Sequence, residues 1–377
     1  MKKFLSLLLI FAMIFTFAAC GSDEPADDQQ QGGDVVTESY DDIPDTMESA
    51  DGVYQVAMVT DVGQLKDGSF NEFTWNGCKK YAYDNEKSYK YYQPANGSAA
   101  TDDDRIKALT DACEAGAEVV VTPGFLQETA LKAVVPNYPE VQFVFIDGWD
   151  MGYPNLVGVS YQEEQAGYLA GYAAVMEGFT KLGFSGGGGG ANPACIRYGY
   201  GYAQGADAAA AAKGVNVEMR YSWEYGDTFS DSPDLQAMLA GWYEAGTEVI
   251  FMCGGSMFNS GTAAAEAAET AIIGVDVDQS PLSDTVVTSA LKGLDASVIK
   301  TLTDFYTGGA LIPGSSVLGA ADDAVGLPVD SWSLENWSVE EYETLFAKIK
   351  SGEITIDNDS AMADPSTAGL ANVTFVK

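Results

Sequence analysis

Residues 53–75 read VYQVAMVTDVGQLKDGSFNEFTW, and this stretch decides the fold. Its apolar run at 53–60 predicts a buried strand, and the spacing of Ser69 and Glu72 is that of a capping box at the start of a helix. Asp61 follows the strand directly, in a loop that contains glycine. A strand, a polar loop and a helix in this order form the repeating unit of a parallel α/β sheet.

The same unit recurs further along the chain. Other apolar runs typical of strands lie at 118–122, 142–146, 249–252 and 271–275, with helical stretches between them. The segments EAGAEVVVTPG at 114–124 and EAGTEVIFMCG at 244–254 are similar to each other. We therefore expect two similar α/β lobes with a cleft between them, as in hinged solute-binding proteins.

Carboxylates and glycines gather at the carboxyl ends of the predicted strands. Asp61, Asp147, Gly254 and Asp276 each follow an apolar run. In open α/β sheets this edge forms the ligand crevice, and glycine there lets a ligand approach the backbone. The same residue types also terminate strands and cap helices, so a purely structural role is the alternative.

Two aromatic residues are candidates for stacking on a planar ligand. Phe70 and Asn71 begin the predicted helix at the crevice, and Phe229 lies in the loop YGDTFSD at 225–231. Rings from opposite lobes can sandwich a flat ligand while Asn71 and Asp61 hydrogen-bond to its polar edge. The alternative is that both rings pack within the protein and that Asn71 is solvated.

Composition excludes several classes of function. The 377 residues carry 19 Lys and Arg against 55 Asp and Glu, a net charge of −36, which argues against a nucleic-acid partner. The chain has no histidine, so Ser-His-Asp and Cys-His nucleophile sites and HExxH zinc sites are excluded. The segment 276–287 begins like a calcium loop but lacks its glycine and its bidentate glutamate, which proline and valine replace. We expect neither a metal nor a cofactor.

Neither the glycine-rich stretches nor the cysteines of this chain match a known functional motif. The glycine-rich stretches at 186–190 and 199–205 lack the Walker A and GxGxxG patterns, so we expect loop flexibility and close helix packing there. Four cysteines outside the first 20 residues contain no CxxC, and buried thiols or a disulfide both remain open: Cys78, Cys113, Cys195 and Cys253.

The amino-terminal region predicts secretion and membrane attachment. Two lysines and an apolar run precede Cys20, so residues 1–19 are typical of a signal peptide. The two alanines before Cys20 resemble a bacterial lipobox, in which that cysteine becomes the acylated first residue. Residues 20–52 are acidic and poor in apolar side chains, which predicts a disordered tether. We expect the mature protein to be lipid-anchored on the extracytoplasmic side of the cell membrane.

Six segments in a fixed order carry a family resemblance over residues 54 to about 330. They are VAMVTDVGQLKDGSFNEFTWNG, TPGFLQETALKAVVPNYPEVQFVFIDG, YQEEQAGYLAGYAA, YGDTFSD, IIGVDVDQ and VVTSALKGLDASV. Together they resemble the basic membrane protein family, the PnrA-like nucleoside-binding lipoproteins of bacterial ABC transporters. The resemblance implies a type I periplasmic-binding-protein fold, in which three crossovers join two lobes that close on a purine nucleoside.

The resemblance also implies roles for individual residues. Phe70 and Phe229 resemble the stacking aromatics, and Asp61 and Asn71 resemble polar contacts near the helix start. Asp147 resembles a carboxylate that reads the base, and Asp276 and Lys292 resemble contacts to the ribose hydroxyls. The predicted ligand-binding residues are Asp61, Phe70, Asn71, Asp147, Phe229, Gly254, Asp276 and Lys292.

The sequence thus predicts a non-catalytic receptor that captures inosine, guanosine or adenosine and delivers it to an ABC permease. The first lobe is expected to comprise residues 53–180 with 290–313, and the second 181–289 with 314–377. One alternative keeps the fold and the transport role with a sugar or another heterocycle as the solute. Another is a carboxylate-dependent nucleoside hydrolase.

Overall fold

Two sheets organise the part of the chain that the computed structural model describes, residues 39–62 and 64–377. The predicted signal peptide, Cys20 and most of the predicted tether lie outside these residues. The strands are β1 (Val56–Val59), β2 (Tyr89–Tyr92), β3 (Val119–Pro123), β4 (Gln142–Ile146), β5 (Leu156–Tyr161), β6 (Lys181–Gly186), β7 (Val217–Ser222), β8 (Val249–Cys253), β9 (Ala271–Asp276), β10 (Val286–Lys292), β11 (Gly314–Leu318), β12 (Val325–Gly326) and β13 (Val373–Val376). The helices are α1 (Phe70–Asp84), α2 (Asp102–Glu114), α3 (Glu128–Val134), α4 (Glu163–Glu177), α5 (Pro193–Lys213), α6 (Pro233–Glu244), α7 (Met257–Ala268), α8 (Leu294–Gly308) and α9 (Val339–Lys350).

Each sheet forms the centre of one lobe. The first has the strand order β11-β5-β4-β3-β1-β2, and its neighbouring strands are parallel. The second has the order β12-β10-β9-β8-β6-β7-β13, with only β12 antiparallel among its described pairs. Strands β1, β3, β8 and β9 are buried throughout, as parallel strands covered on both faces must be. The predicted α/β class is confirmed.

The chain crosses between the lobes three times, which confirms the predicted hinge. The crossings follow β5, β10 and β11, near Gln162, Gly293 and Gly319. Helix α4 packs against α5 of the second lobe, and α8 packs against α1 of the first. At these positions the predicted lobe boundaries were wrong: α4 and all of β10 belong to the second lobe, and β11 belongs to the first. Local apolar patterns are alike in both lobes, and only the pairing of distant strands assigns each segment.

Glycines allow α4 and α5 to lie almost in backbone contact. A Cβ atom at Gly205 would overlap the Tyr168 carbonyl, and one at Gly171 would overlap the Tyr202 carbonyl. The stretch at 199–205 therefore serves close helix packing, as expected. The run at 186–190 lies against the loop after β7, because a Cβ at Gly187 would meet the Phe229 ring.

Residues 39–47 form an ordered strap against the first lobe, which corrects the predicted extent of the tether. Ile43 is 2% exposed. The Lys79 ammonium, also buried, donates to Asp45 Oδ1 at 2.8 Å and to the Ile43 carbonyl at 3.2 Å. Trp75 Nε1 donates to the same Asp45 oxygen at 3.1 Å. The local composition is polar, but partners far along the chain hold this segment in place. None of the helices in the described ranges has the length and apolar character needed to span a membrane.

Candidate functional site

A cavity between the lobes contains all eight predicted ligand-binding residues. It lies at the carboxyl ends of strands from both sheets, and the space inside it and at its mouth is about 610 Å³. Other residues that line the cavity were not predicted from the sequence, among them Asp67, Asn192, Cys195, Tyr198, Cys253 and Ser256. The carboxyl ends of the strands, which the sequence predicts as the ligand crevice, therefore form the cavity.

The two predicted stacking residues reach the cavity from opposite lobes. Phe70 is the first residue of α1, and its ring centroid lies 5.0 Å from Lys292 Nζ. Phe229 lies in the loop after β7 with a φ of +56°, a conformation that is rare outside glycine. Gly254 leaves room for this ring, because a Cβ there would lie 3.2 Å from Phe229 Cδ1. The lack of a side chain at Gly254 thus allows the Phe229 ring to form the wall of the cavity in the second lobe.

The start of α1 is held by Asp67 rather than by the predicted capping box. The Asp67 carboxylate accepts hydrogen bonds from the backbone N–H groups of Ser69, Asn71 and Glu72. The prediction that Ser69 caps the helix was wrong, because its hydroxyl donates to Asp276 Oδ2 at 2.6 Å. Ser69 belongs to the first lobe and Asp276 to the second. Because Asp67 caps the helix, the Ser69 hydroxyl is free to make this contact across the cleft.

Asn71 holds the binding loop together as well as lining the cavity. Its Nδ2 donates to the Val62 carbonyl at 3.1 Å, and its Oδ1 accepts from the Asp61 N–H at 3.4 Å. A Cβ at Gly124 would overlap the Asp61 carboxylate, so glycine is needed at the end of β3. These contacts fix the direction of the Asp61 side chain.

Asp61 is a buried carboxyl group with spare hydrogen-bonding capacity. Arg105 Nε lies 3.5 Å from Asp61 Oδ1, an ion-pair distance, but that oxygen accepts no hydrogen bond from the described residues. Burial raises the pKa of Asp61 to about 7, although Arg105 opposes the shift. A ligand N–H group would supply the missing donor.

Lys292 connects carboxylates of both lobes. Its Nζ lies 2.7 Å from Asp147 Oδ2 in the first lobe and 3.2 Å from Glu163 Oε1 in the second. Glu163 Oε2 also accepts from Arg197 Nε at 2.6 Å. Burial opposes ionisation of Glu163, but Lys292 and Arg197 hold its pKa below the usual value. The pKa of Lys292 is raised, because the carboxylates around it outweigh the effect of its burial.

Glu163 is a functional residue that was not predicted from the sequence, although its segment was part of the family resemblance. It lies in the segment YQEEQAG, the first residue of α4 after the first crossover. It is fully buried, as an acidic residue is only when it is paired. Its importance depends on Lys292 and Arg197, which lie far along the chain.

Backbone strain is concentrated at this site. Asp147 and Asp276 have φ values of +56° and +66°, and both stand at the carboxyl end of a strand. Such conformations persist where the surrounding structure imposes them, and they cluster at ligand sites. They direct the two carboxyl groups into the cavity.

For the cysteines in the described residues, the structure decides between buried thiols and a disulfide. Cys78, Cys113, Cys195 and Cys253 are free and buried. Cys195 and Cys253 line the cavity, and the Cys195 thiol lies 3.9 Å from the Cys253 carbonyl oxygen.

The fold and site together define a two-lobed protein that binds a small molecule in its cleft, and the match to a family model identifies its class. The family model described as ABC transporter substrate-binding protein PnrA-like, or Bmp, matches residues 54–360. The chain belongs to this family. Its members are extracytoplasmic binding proteins that work with an ABC permease and are not enzymes.

Individual relatives cover nearly the same region. The "CD4+ T-cell-stimulating antigen" of Listeria innocua is 27% identical, over 93% of this chain and 97% of the relative. The "ABC transporter nucleoside-binding protein BmpA" of Lactococcus lactis is 26% identical, over 80% of this chain and 88% of the relative. A solute-binding protein of an ABC transporter system from Aeropyrum pernix K1 superposes with a TM-score of 0.70 at 23% identity, covering 84% of this chain and 97% of that one. This structural likeness supports the fold.

Proposed function

We propose that this protein captures a purine nucleoside by closing its lobes around it and presents it to an ABC permease. The observation that carries the proposal is the composition of one cavity: Phe70 and Phe229 from opposite lobes, beside buried carboxyl groups. Stacking of a base on an aromatic ring contributes about 1–3 kcal/mol, by analogy with proteins that bind single-stranded nucleic acids. The relative named as nucleoside-binding supports this ligand class.

The polar residues divide between the two ends of the proposed ligand. Asp61 offers a carboxylate oxygen to N–H groups of the base. Asp276 and Lys292 hydrogen-bond to the ribose hydroxyls, and Gly254 lets the ligand approach the backbone. Asp147 was assigned to the base by resemblance, but its 2.7 Å contact with Lys292 favours a place at the sugar. We therefore assign Asp147 to the ribose end.

The proposed location rests on the amino-terminal sequence. Acylation of Cys20 would anchor the protein in the membrane, with residues 21–38 as the tether that precedes the ordered strap. Labelling cells with a radioactive fatty acid tests this step. The wild-type protein should carry the label, and Cys20→Ala should not; equal labelling of both would contradict the anchor.

The ligand is tested by thermal unfolding of residues 39–377 with inosine, guanosine, adenosine, uridine, hypoxanthine, ribose and several hexoses. A ligand at about 100 times its dissociation constant adds about 2.7 kcal/mol to the free energy of unfolding. We expect purine nucleosides to raise the melting temperature. A response to hexoses alone would refute the nucleoside assignment and leave the transport role standing.

The stacking roles are tested with Phe70→Ala and Phe229→Ala. Each should weaken nucleoside binding by about 1–3 kcal/mol, measured by calorimetry. Tyr225→Ala is the control, because this exposed residue shares the loop of Phe229 and does not line the cavity. Unchanged affinity in both phenylalanine variants would refute the aromatic sandwich.

A further inference from the structure

A second cavity adjoins the first and has no role in the binding described above. We call it the side cavity. It measures about 430 Å³ with its mouth, and it shares Asp147, Asn192 and Ala194 with the main cavity. Its own walls come from both lobes: Phe125, Gly148, Trp149 and Ser160 from the first, and Pro193 and Arg197 from the second. The cleft thus continues beyond the main cavity.

The side cavity offers an aromatic wall. Trp149 follows β4 and packs on Phe145, with ring centroids 5.2 Å apart, while the residue as a whole stays 38% exposed. Phe125 follows β3 and faces the same space. An aromatic ring that is fixed on one side and open on the other is suited to contact with an apolar group of a ligand.

The charges around the side cavity disfavour an anion. Arg197 lines it, but its Nε is 2.6 Å from Glu163 Oε2 and 4.0 Å from Glu164 Oε2. Asp147 also lines it and is paired with Lys292. Three carboxyl groups therefore accompany two cations, and a phosphate would find no net positive charge.

The position of Asp147 indicates which end of the ligand faces the side cavity. Asp147 borders both cavities and lies 2.7 Å from Lys292, which the proposed function places at the ribose. We infer that the side cavity accepts an uncharged, apolar substituent on the ribose. Because Asp276 and Lys292 bind the 2′ and 3′ hydroxyl groups in the proposed function, the substituent is on the 5′ carbon, and the receptor also takes up 5′-substituted nucleosides. This inference rests on the proposed function and extends it to a wider ligand class.

Calorimetry on residues 39–377 tests the inference with adenosine, 5′-deoxy-5′-methylthioadenosine, N6-benzyladenosine and adenosine 5′-monophosphate. We expect the methylthio compound to bind within about threefold of adenosine, and the monophosphate to bind at least about tenfold more weakly. Binding of adenosine without the methylthio compound would overturn the inference and leave the proposed function intact. Tolerance of the N6 substituent alone would also overturn it, because the base would then face the side cavity. Binding of neither adenosine nor the methylthio compound would refute both.

Two variants test whether the substituent lies in the side cavity. Ser160→Phe fills the cavity, and it should weaken the methylthio compound by about tenfold or more while adenosine changes by less than about threefold. Ser316→Phe, on the exposed neighbouring strand β11, is the matched control and should change neither ligand. Trp149→Ala removes the apolar wall without adding bulk, and it should weaken the methylthio compound alone. Equal effects of Ser160→Phe and Trp149→Ala on both ligands would overturn the inference.

Discussion

The Lys292 side chain meets carboxylates of both lobes, and Glu163 sets its position within the second lobe. Glu163 does not line the cavity, so it acts on a ligand through Lys292. Removing one member of a buried ion pair leaves the other charge without compensation, which costs about 3–5 kcal/mol of stability in other proteins. Glu163 is therefore a positioning residue with a structural role as well.

We expect Glu163→Gln to lower nucleoside affinity by about tenfold or more, a change of about 1.4 kcal/mol. Adenosine should lose more than 2′,3′-dideoxyadenosine, because the effect travels through Lys292 to the ribose hydroxyls. Calorimetry with both ligands measures this difference, which a loss of stability alone would not produce.

Glu164→Gln is the control for this variant. Glu164 is also buried and adjacent in sequence, but its nearest cation is Arg197 at 4.0 Å. It should change affinity by less than about threefold. Equal losses for adenosine and the dideoxy compound in Glu163→Gln would contradict the positioning role.

Asp61 makes binding depend on pH. Burial raises its pKa to about 7, so the folded apo protein holds a proton there at pH 5 that it lacks at pH 8. The ionised form accepts a base N–H, so binding releases protons and affinity should rise with pH up to about 7. The maximum slope is about tenfold per pH unit.

Calorimetry from pH 5 to pH 8 measures this profile. In Asp61→Asn, affinity should no longer change with pH above pH 6. A smaller slope should remain below pH 6, because burial raises the pKa of Asp67, which also lines the cavity, to about 6. Tighter binding on acidification would show instead that the Asp61 carboxyl group donates to the ligand.

At the scale of elements, the strap at 39–47 stabilises the first lobe. Without it, the Lys79 side chain would lose both of its hydrogen-bond acceptors in the strap, Asp45 and the Ile43 carbonyl. A chain that begins at residue 50 should therefore be less stable than one that begins at residue 39, by about 3–5 kcal/mol. Urea unfolding of the two chains measures the difference.

The variant Lys79→Met separates charge from packing in this comparison. In the shorter chain it should recover part of the lost stability, because no buried charge remains, while in the longer chain it should destabilise. Identical urea midpoints for the two wild-type chains would show that the strap contributes nothing.

At the scale of the whole molecule, a hydrogen bond between the lobes lies outside the residues that line the cavity. Gln279 in the second lobe is fully buried, and its Nε2 donates to the Gly68 carbonyl of the first lobe at 3.1 Å. Its Oε1 accepts from the Val275 N–H at 2.9 Å, within its own lobe. The variant Gln279→Glu keeps the oxygen that accepts from Val275 and removes the N–H group that donates to Gly68. It therefore removes the hydrogen bond between the lobes.

We expect Gln279→Glu to weaken binding by about 1–3 kcal/mol, mainly through faster ligand dissociation. Stopped-flow tryptophan fluorescence measures the two rates, and small-angle scattering measures how far the ligand compacts the protein. Gln204→Glu is the control, because Gln204 bonds to the Asp357 backbone within the second lobe. A slower association rate with unchanged dissociation would contradict a role in closure.

The sequence by itself determined the features that depend on a few neighbouring residues. Apolar runs became the buried strands, and the residues directly after four of them line one cavity: Asp61, Asp147, Gly254 and Asp276. Thr101 with Asp104, and likewise residues 338 and 341, have the sequence spacing of a capping box and form one in the structure. These features need no distant partner, because strand burial, chain reversal and helix capping are local in origin.

Only the tertiary structure decided the features that join distant residues. Ser69 left its predicted cap for Asp276, 207 positions away, and Asp45 became ordered through Lys79, 34 positions away. The lobe boundaries and the network of Glu163 likewise depended on which strands pair and which charges are buried together. A short window of sequence carries no information about such partners, since their attraction appears only when burial removes water from both groups.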